Sequence, residues 1–285
     1  MHKVASSTWP VHSALSFTLS SRRSPPSIIT RTVARGNGFR RDLLAVPVDT
    51  NTVLLTSAAC FAAISLDVAR THLLLSGLDN LCHTWVVQHI PPEVRASTAD
   101  VLVSDTFITL GLSGWAATSA TILFRQPKGG FKSLLLAWGV YLSAAGAVTK
   151  GDPPLVWTLK ELFHRTRPST LHHTFSFPSG HTTAATFLIG GCLFVLLPAA
   201  LADRSQSSAP ESAAIDQTQP SPAGNAAVAI WILAALTTAC GRILADAHWL
   251  SDTMAGAAIG TLLVALLRRV SGPQEEVNPK PRNEL

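Results

Sequence analysis

The chain has 285 residues, 47% hydrophobic and only 14% charged, with a mean hydropathy of +0.30; an ordinary soluble surface needs roughly 25% charge, so a water-soluble globule is excluded. Uncharged stretches of 17 to 21 residues recur, the pattern of a multi-span helical membrane protein. The formal charge of +5 is concentrated near the start, where the first 41 residues hold seven Lys/Arg and no acid, which excludes a nucleic-acid-binding surface as its meaning.

Residues 1–41 also contain eight Ser, four Thr and Pro25-Pro26, with Asp42 the first carboxylate and no apolar core long enough for a secretory signal. Hydroxylated, Arg-rich, acid-free composition is that of an organellar transit peptide, and abundant Ser with weak amphipathicity favours a plastid (chloroplast) over a mitochondrion. The four cysteines, Cys60, Cys82, Cys192 and Cys240, have no CxxC spacing and read as small packing residues.

Residues 42–270 are expected to form an all-α bundle of six spans. Thr106 to Phe124, Ser133 to Thr149 and Thr182 to Ala202 are free of charge and long enough to cross a bilayer core. Ala226 to Gly241 and Thr253 to Leu267 are shorter spans, and Thr52 to Leu75 is a first span with Asp67 and Arg70 near one membrane face. Gly77 to Ala96 mixes Asp, His and Trp, which suits an interfacial helix stopped by Pro91-Pro92. The Ser/Pro/Gln-rich connector 203–224 and the polar tail 271–285 are expected to be disordered.

Charges are expensive in a charge-poor membrane protein, so their clusters mark function. They gather in Lys160 to Pro168 after the third span, in Pro178-Ser179-Gly180-His181 at the start of the fourth, and in Arg242 to Asp252 between the fifth and sixth. Six alternating spans put all three on one membrane face. His248 and Asp252, four apart on a helix, let the carboxylate fix one imidazole nitrogen and leave the other as a nucleophile or base. Ser179-Gly180 at a helix start offers a hydroxyl and backbone N–H groups to an anion, and Lys160, Arg167 and Arg242 add cations suited to phosphate. A four-residue string such as Pro-Ser-Gly-His recurs by chance about once in 10⁵ positions, so all three segments in order are not a coincidence.

These three segments resemble the signature of the type 2 phosphatidate phosphatases, lipid phosphatases that share a helical core with the vanadium haloperoxidases. The resemblance spans roughly Asp67 to Arg268. It implies that His248 attacks phosphorus to form a phosphohistidine, Asp252 orients it and His181 protonates the leaving alkoxide. Lys160, Arg167, Arg242 and Ser179-Gly180 would hold the phosphoryl oxygens. No metal and no other cofactor is expected. The family's third motif usually begins Ser-Arg, whereas Gly241 stands before Arg242 here.

Among the remaining polar residues, Asp246 is expected in a salt-bridging or surface role rather than a catalytic one, Arg165 and His164 to be solvated in preference to reaching the phosphate or a lipid headgroup, and His172-His173 to lie in a loop. Trp85, Trp157 and Trp249 are expected in an interfacial belt. The activity expected is hydrolysis of a membrane lipid phosphate, phosphatidic acid to diacylglycerol, with polyprenyl diphosphate or phosphatidylglycerophosphate as alternatives. A transporter would carry mid-span polar residues and an inverted repeat, neither of which is found. A vanadate-dependent oxidase would be expected as a soluble protein. Basic residues outside the motifs (Arg125, Lys128, Lys132, Arg204, Arg268, Arg269) crowd the face holding both termini, which points the termini to the stroma.

Overall fold

The structure, a computed structural model, describes residues 49–71, 74–125, 129–145, 153–169, 173–202 and 221–271, and every regular element among them is helical. The expected transit peptide 1–41 lies outside the described residues, as do most of the connector and the polar tail.

Helix α1, Thr50–Leu66, begins where the Asp49 carboxylate accepts the Thr52 N–H at 2.9 Å, and runs into a π turn, Asp67–Thr71. Buried Asp67 accepts the N–H groups of Leu74 and Leu75, both at 3.1 Å, which holds the residues ahead of the next helix against the end of the first span. The first span therefore closes at Arg70, short of the expected Leu75. Next comes α2, Ser76–His89, which ends at Ile90 ahead of the two prolines as expected. A helical turn, Pro92–Val94, and a π segment, Arg95–Val103, then lead into α3, Ser104–Arg125.

The third expected span appears as α4, Gly130–Val140, with a π turn Tyr141–Ala145, where the described stretch ends. Helix α5, Pro154–Phe163, has Pro153 at its cap and Pro154 at its first position, a place where a missing N–H costs nothing. Helix α6, Gly180–Gly191, continues through a π turn to Leu201. Helix α7 spans Pro222–Leu244 and α8 spans Leu250–Ser271. Two boundaries move accordingly. Pro222 to Gly224, assigned to the connector, form the first turn of α7, because the Ser221 hydroxyl accepts the Gly224 N–H at 2.9 Å. Ser271, assigned to the tail, is the last residue of α8.

Among the described residues five helices are long and apolar enough to cross a membrane: Thr50–Arg70, Ser104–Arg125, Gly180–Leu201, Pro222–Leu244 and Leu250–Ser271. The third expected span, present among the described residues only as α4 and its π turn, is not among these five. Helix α6 is the centre of the bundle, with Thr182 to Gly191 all buried. Its Phe187 packs on Trp115 of α3 at 5.4 Å between ring centroids, and Trp231 of α7 donates to the Thr186 carbonyl at 2.7 Å. Against α8 the approach is closer still. A Cβ at Gly256 would stand 2.6 Å from the Ser179 carbonyl, and one at Gly260 would stand 2.9 Å from that of Thr183. Two glycines four apart on α8 therefore let the two backbones touch.

That contact, together with the ends of α1, α3 and α7, gathers the motif segments at one end of the bundle. Helix α2 lies at this end, its inward face reduced to Asp79 and Val86. The four cysteines are free thiols; Cys192 is partly buried against α3, while Cys60 and Cys240 are exposed on the flanks rather than packed.

Candidate active site

His248 stands in the turn between α7 and α8, 3% exposed, and Asp252 occupies the first turn of α8, fully buried. The turn is held by Asp246, which adopts a left-handed conformation (φ 56°) and is 5% exposed. Its carboxylate meets His83 Nδ1 of α2 at 2.7 Å and Arg95 at 3.2 Å. The expected salt bridge of Asp246 is thus present, and it fastens the catalytic turn to α2 and to the segment leading into α3.

His248 Nδ1 faces Asp252 Oδ2 at 3.4 Å, within ion-pair reach but longer than a good hydrogen bond, and has no closer partner. Its Nε2 accepts from Arg167 Nη1 at 3.2 Å. Because a guanidinium only donates, Nε2 carries the lone pair and Nδ1 the proton. Burial, then the positive charges of Arg167, Arg242, Lys160 and His181, holds the imidazole pKa well below its ordinary 6.5. The ring is therefore neutral at pH 7, with its Nε2 lone pair turned toward Arg167.

The charges of the sequence-predicted cations act on this imidazole from three segments. Lys160, 4% exposed, comes from the last turn of α5, and Arg242, 4% exposed, from the last turn of α7. Arg167 also donates to the carbonyls of Thr174 and Ala247, both at 2.8 Å, and to the Thr174 hydroxyl at 2.9 Å, which ties Thr174 to the turn that carries His248. His181 sits in the first turn of α6.

Ser179 is placed differently from the phosphate-binding expectation. Its hydroxyl faces Thr182 Oγ1 at 3.1 Å and caps α6 through the Thr182 N–H at 3.5 Å, while its own N–H bonds the Asp252 carbonyl at 3.0 Å. A residue at a helix start serves equally as cap or as anion donor, and here it is the cap. Gly180 and His181 are the first two residues of α6, where backbone N–H groups have no intrahelical acceptor.

Arg165 corrects a second expectation. Instead of reaching solvent, its Nη1 meets Asp252 Oδ1 at 2.5 Å and its Nη2 meets Asp79 Oδ2 at 2.6 Å. Its guanidinium lies 5.5 Å from the centroid of the Trp249 ring. Trp249 in turn is half-buried and donates its Nε1–H to the Thr166 carbonyl at 2.8 Å, whereas Trp85 and Trp157 are exposed. His164 is solvent-facing as expected, and His173 is exposed.

Two residues outside the motifs reach the site: Asp79 from α2, and Asp105, whose Oδ1 lies 3.4 Å from His181 Nε2. Each is a lone carboxylate on an otherwise weakly charged segment. That is a signal of cost, but nothing in the sequence names its partner.

A protein-family model described as the PAP2 superfamily matches residues 132–275. No curated protein matches the chain. Among solved structures it is similar to one titled "Crystal structure of the first transmembrane PAP2 type phosphatidylglycerolphosphate phosphatase from Bacillus subtilis", with a TM-score of 0.50 and 21% identity. That match covers 78% of this chain and 94% of the other, a likeness of fold. The family match takes in half of the chain and every motif residue from Lys160 to Asp252, so the chain belongs to the PAP2 superfamily and is a multi-pass membrane phosphatase.

Proposed function

We propose that the protein hydrolyses phosphatidic acid to diacylglycerol and inorganic phosphate at a plastid membrane, through a phosphohistidine on His248. The observation that carries this reading is the neutral, buried imidazole, whose Nε2 meets Arg167 at 3.2 Å and which lies in the positive field of Arg167, Arg242, Lys160 and His181. A phosphate monoester is the ligand that such a ring of cations neutralises, and a site at the end of the bundle admits a headgroup while acyl chains stay in lipid.

In the first step Nε2 attacks phosphorus and the bond to the glycerol oxygen breaks. The leaving alkoxide takes a proton from His181. Arg167, which now covers the lone pair, transfers its donors to a phosphoryl oxygen as the headgroup arrives. Lys160, Arg242 and the N–H groups of Gly180 and His181 hold the other oxygens, and Ser179 contributes by fixing the start of α6. Asp252 supports the imidazolium that forms. In the second step His181 removes a proton from water, the hydroxide attacks phosphorus, and the N–P bond breaks to release phosphate and restore His248.

Localisation to a plastid rests on the acid-free, Ser/Arg-rich residues 1–41. The substrate choice is tested on the purified protein in detergent with phosphatidic acid, lysophosphatidic acid, phosphatidylglycerophosphate and a polyprenyl diphosphate, scoring released phosphate. Phosphatidic acid is expected to give the highest kcat/KM. Preference for phosphatidylglycerophosphate would reassign the substrate and keep the chemistry, whereas a His248→Ala variant with near-normal turnover would remove the phosphohistidine.

A further inference from the structure

Behind His248 lies a buried network that the phosphate chemistry does not itself use. Asp79 of α2 is 3% exposed, and both of its oxygens are engaged. Oδ1 accepts the Ser251 N–H at 2.9 Å, while Oδ2 accepts the Ser251 hydroxyl and Arg165 Nη2, each at 2.6 Å. Arg165 Nη1 donates to the Ser251 hydroxyl at 2.6 Å and to Asp252 Oδ1 at 2.5 Å. The second oxygen of Asp252 accepts the Trp249 N–H at 2.9 Å and is the one that faces His248. One guanidinium is thus shared by two carboxylates, in a line that runs from α2 to the catalytic imidazole.

Asp79 and Arg165 come from segments distant in sequence from Asp252, and charge-assisted bonds of this length are strong and directional. They pin Asp252 Oδ1, so the carboxylate cannot rotate and its Oδ2 is left to His248. The charges matter as much as the geometry. Paired with Arg165 alone, Asp252 would spend its charge on the guanidinium. With Asp79 drawing on the same cation, the three groups together carry one net negative charge, and the imidazolium formed on phosphorylation feels it. Removing one member of a buried set leaves an uncompensated charge behind.

From this arrangement we infer that Asp79 is a positioning residue for the phosphatase reaction, acting through Arg165 on Asp252 and hence on His248. Helix α2 is the part of the catalytic machine that supplies it. The inference rests on His248 being the nucleophile.

The test is a double-mutant cycle in the full chain, purified in detergent, with phosphatidic acid as substrate and inhibition by inorganic phosphate as an independent reading of the cation ring. Asp79→Asn is expected to lower kcat about 10- to 100-fold, the cost typical of losing a group behind the reacting one. KM and the phosphate inhibition constant should stay within about threefold, and Asp79→Glu should recover most of the loss. In an Asp252→Asn background, Asp79→Asn should cost no more than about threefold, because the residue through which it acts has already lost its charge.

Costs that multiply in the double variant overturn the inference, as does an Asp79→Asn enzyme with unchanged kcat. Where Asp79→Asn fails to fold, Arg165→Lys takes its place in the same cycle, since it keeps one charge and loses the two-pronged bridge; multiplicative costs there overturn the inference equally. His248→Ala with near-normal turnover defeats the proposed function instead, whereas an inactive His248→Ala enzyme with a multiplicative cycle defeats only the role of Asp79.

Discussion

Ser104, the first residue of α3, sits where a side chain at Gly241 would be: a Cβ at position 241 would stand 2.8 Å from Ser104 Oγ and 2.9 Å from Ser104 N. Gly241 thereby lets the start of α3 press against α7, and the next residue, Asp105, comes within 3.4 Å of His181. Gly241→Ser, which restores the residue usual in this family, is expected to push α3 away and weaken that pairing. Turnover should fall most for substrates with poor leaving groups, since protonation by His181 matters most there. Comparing phosphatidic acid with an aryl phosphate checks this, and an equal loss on both would show that Asp105 does not aid His181.

The depressed pKa of His248 gives a pH dependence with a definite sign. The folded protein keeps this imidazole neutral while the unfolded chain protonates it near 6.5, so below that pH the unfolded state binds more protons. The contribution is fully present above pH 6.5 and is lost as pH falls toward the folded pKa. Any advantage in Tm that the native protein holds over a His248→Gln variant should therefore shrink as pH falls from 7.5 to 5, measured by thermal unfolding in detergent. Parallel slopes in the two proteins would contradict a buried neutral imidazole.

Gly256→Ala should damage both stability and activity. The new methyl group would stand 2.6 Å from the Ser179 carbonyl, which neither backbone can absorb, and overpacking of this kind costs about 1–3 kcal/mol. It also separates the Ser179 N–H from the Asp252 carbonyl, a bond of 3.0 Å that joins the start of α6 to α8. A lowered Tm with kcat reduced is the expected pair of results. A lowered Tm with unchanged kcat would mean that this bond does not set the site.

Replacing Lys160 or Arg242 by Ala is expected to lower kcat about 10²- to 10³-fold, by analogy with removing one oxyanion donor. Phosphate release should persist in EDTA, because fixed cations neutralise the phosphoryl group. Complete loss on chelation, restored by Mg²⁺, would sink the proposed mechanism.

Residues 1–41 fused to a fluorescent protein should enter plastids, and their removal should leave catalysis intact. The expected orientation has both termini in the stroma, and it predicts that a single cysteine placed between residues 203 and 220, on a background lacking the native cysteines, labels from the stromal side of sealed membranes. Labelling from the opposite face would reverse the orientation.

Much of this architecture could be read from local pattern. Hydropathy and length marked the spans because a lipid-crossing helix must satisfy its own backbone and present apolar side chains throughout, a condition met within about twenty residues. His248 and Asp252 were legible as a pair by their four-residue spacing, although His248 stands in the turn before α8 rather than on the helix as expected, and Lys160, Arg167, Arg242 and His181 because a charge at a span end is too costly to be idle. Helix ends shifted by a few residues, at Arg70 and Pro222, where a cap or a carboxylate beyond the apolar run decides the boundary. Other relationships belonged to the tertiary structure. Arg165 and Arg167 are two residues apart and chemically alike, yet one is drawn back to Asp79 and Asp252 while the other covers His248 Nε2. The approach of α2 to α8 brings Asp79 to Ser251 across 172 residues of chain, and the fit of Ser104 over Gly241 sets Asp105 beside His181. Ser179 was equally suited to cap a helix or to hold phosphate, and only the packing of α6 on α8 committed its hydroxyl to the cap. Such partners are chosen by which backbones touch, and contacts between distant segments leave no periodicity in the sequence from which to read them.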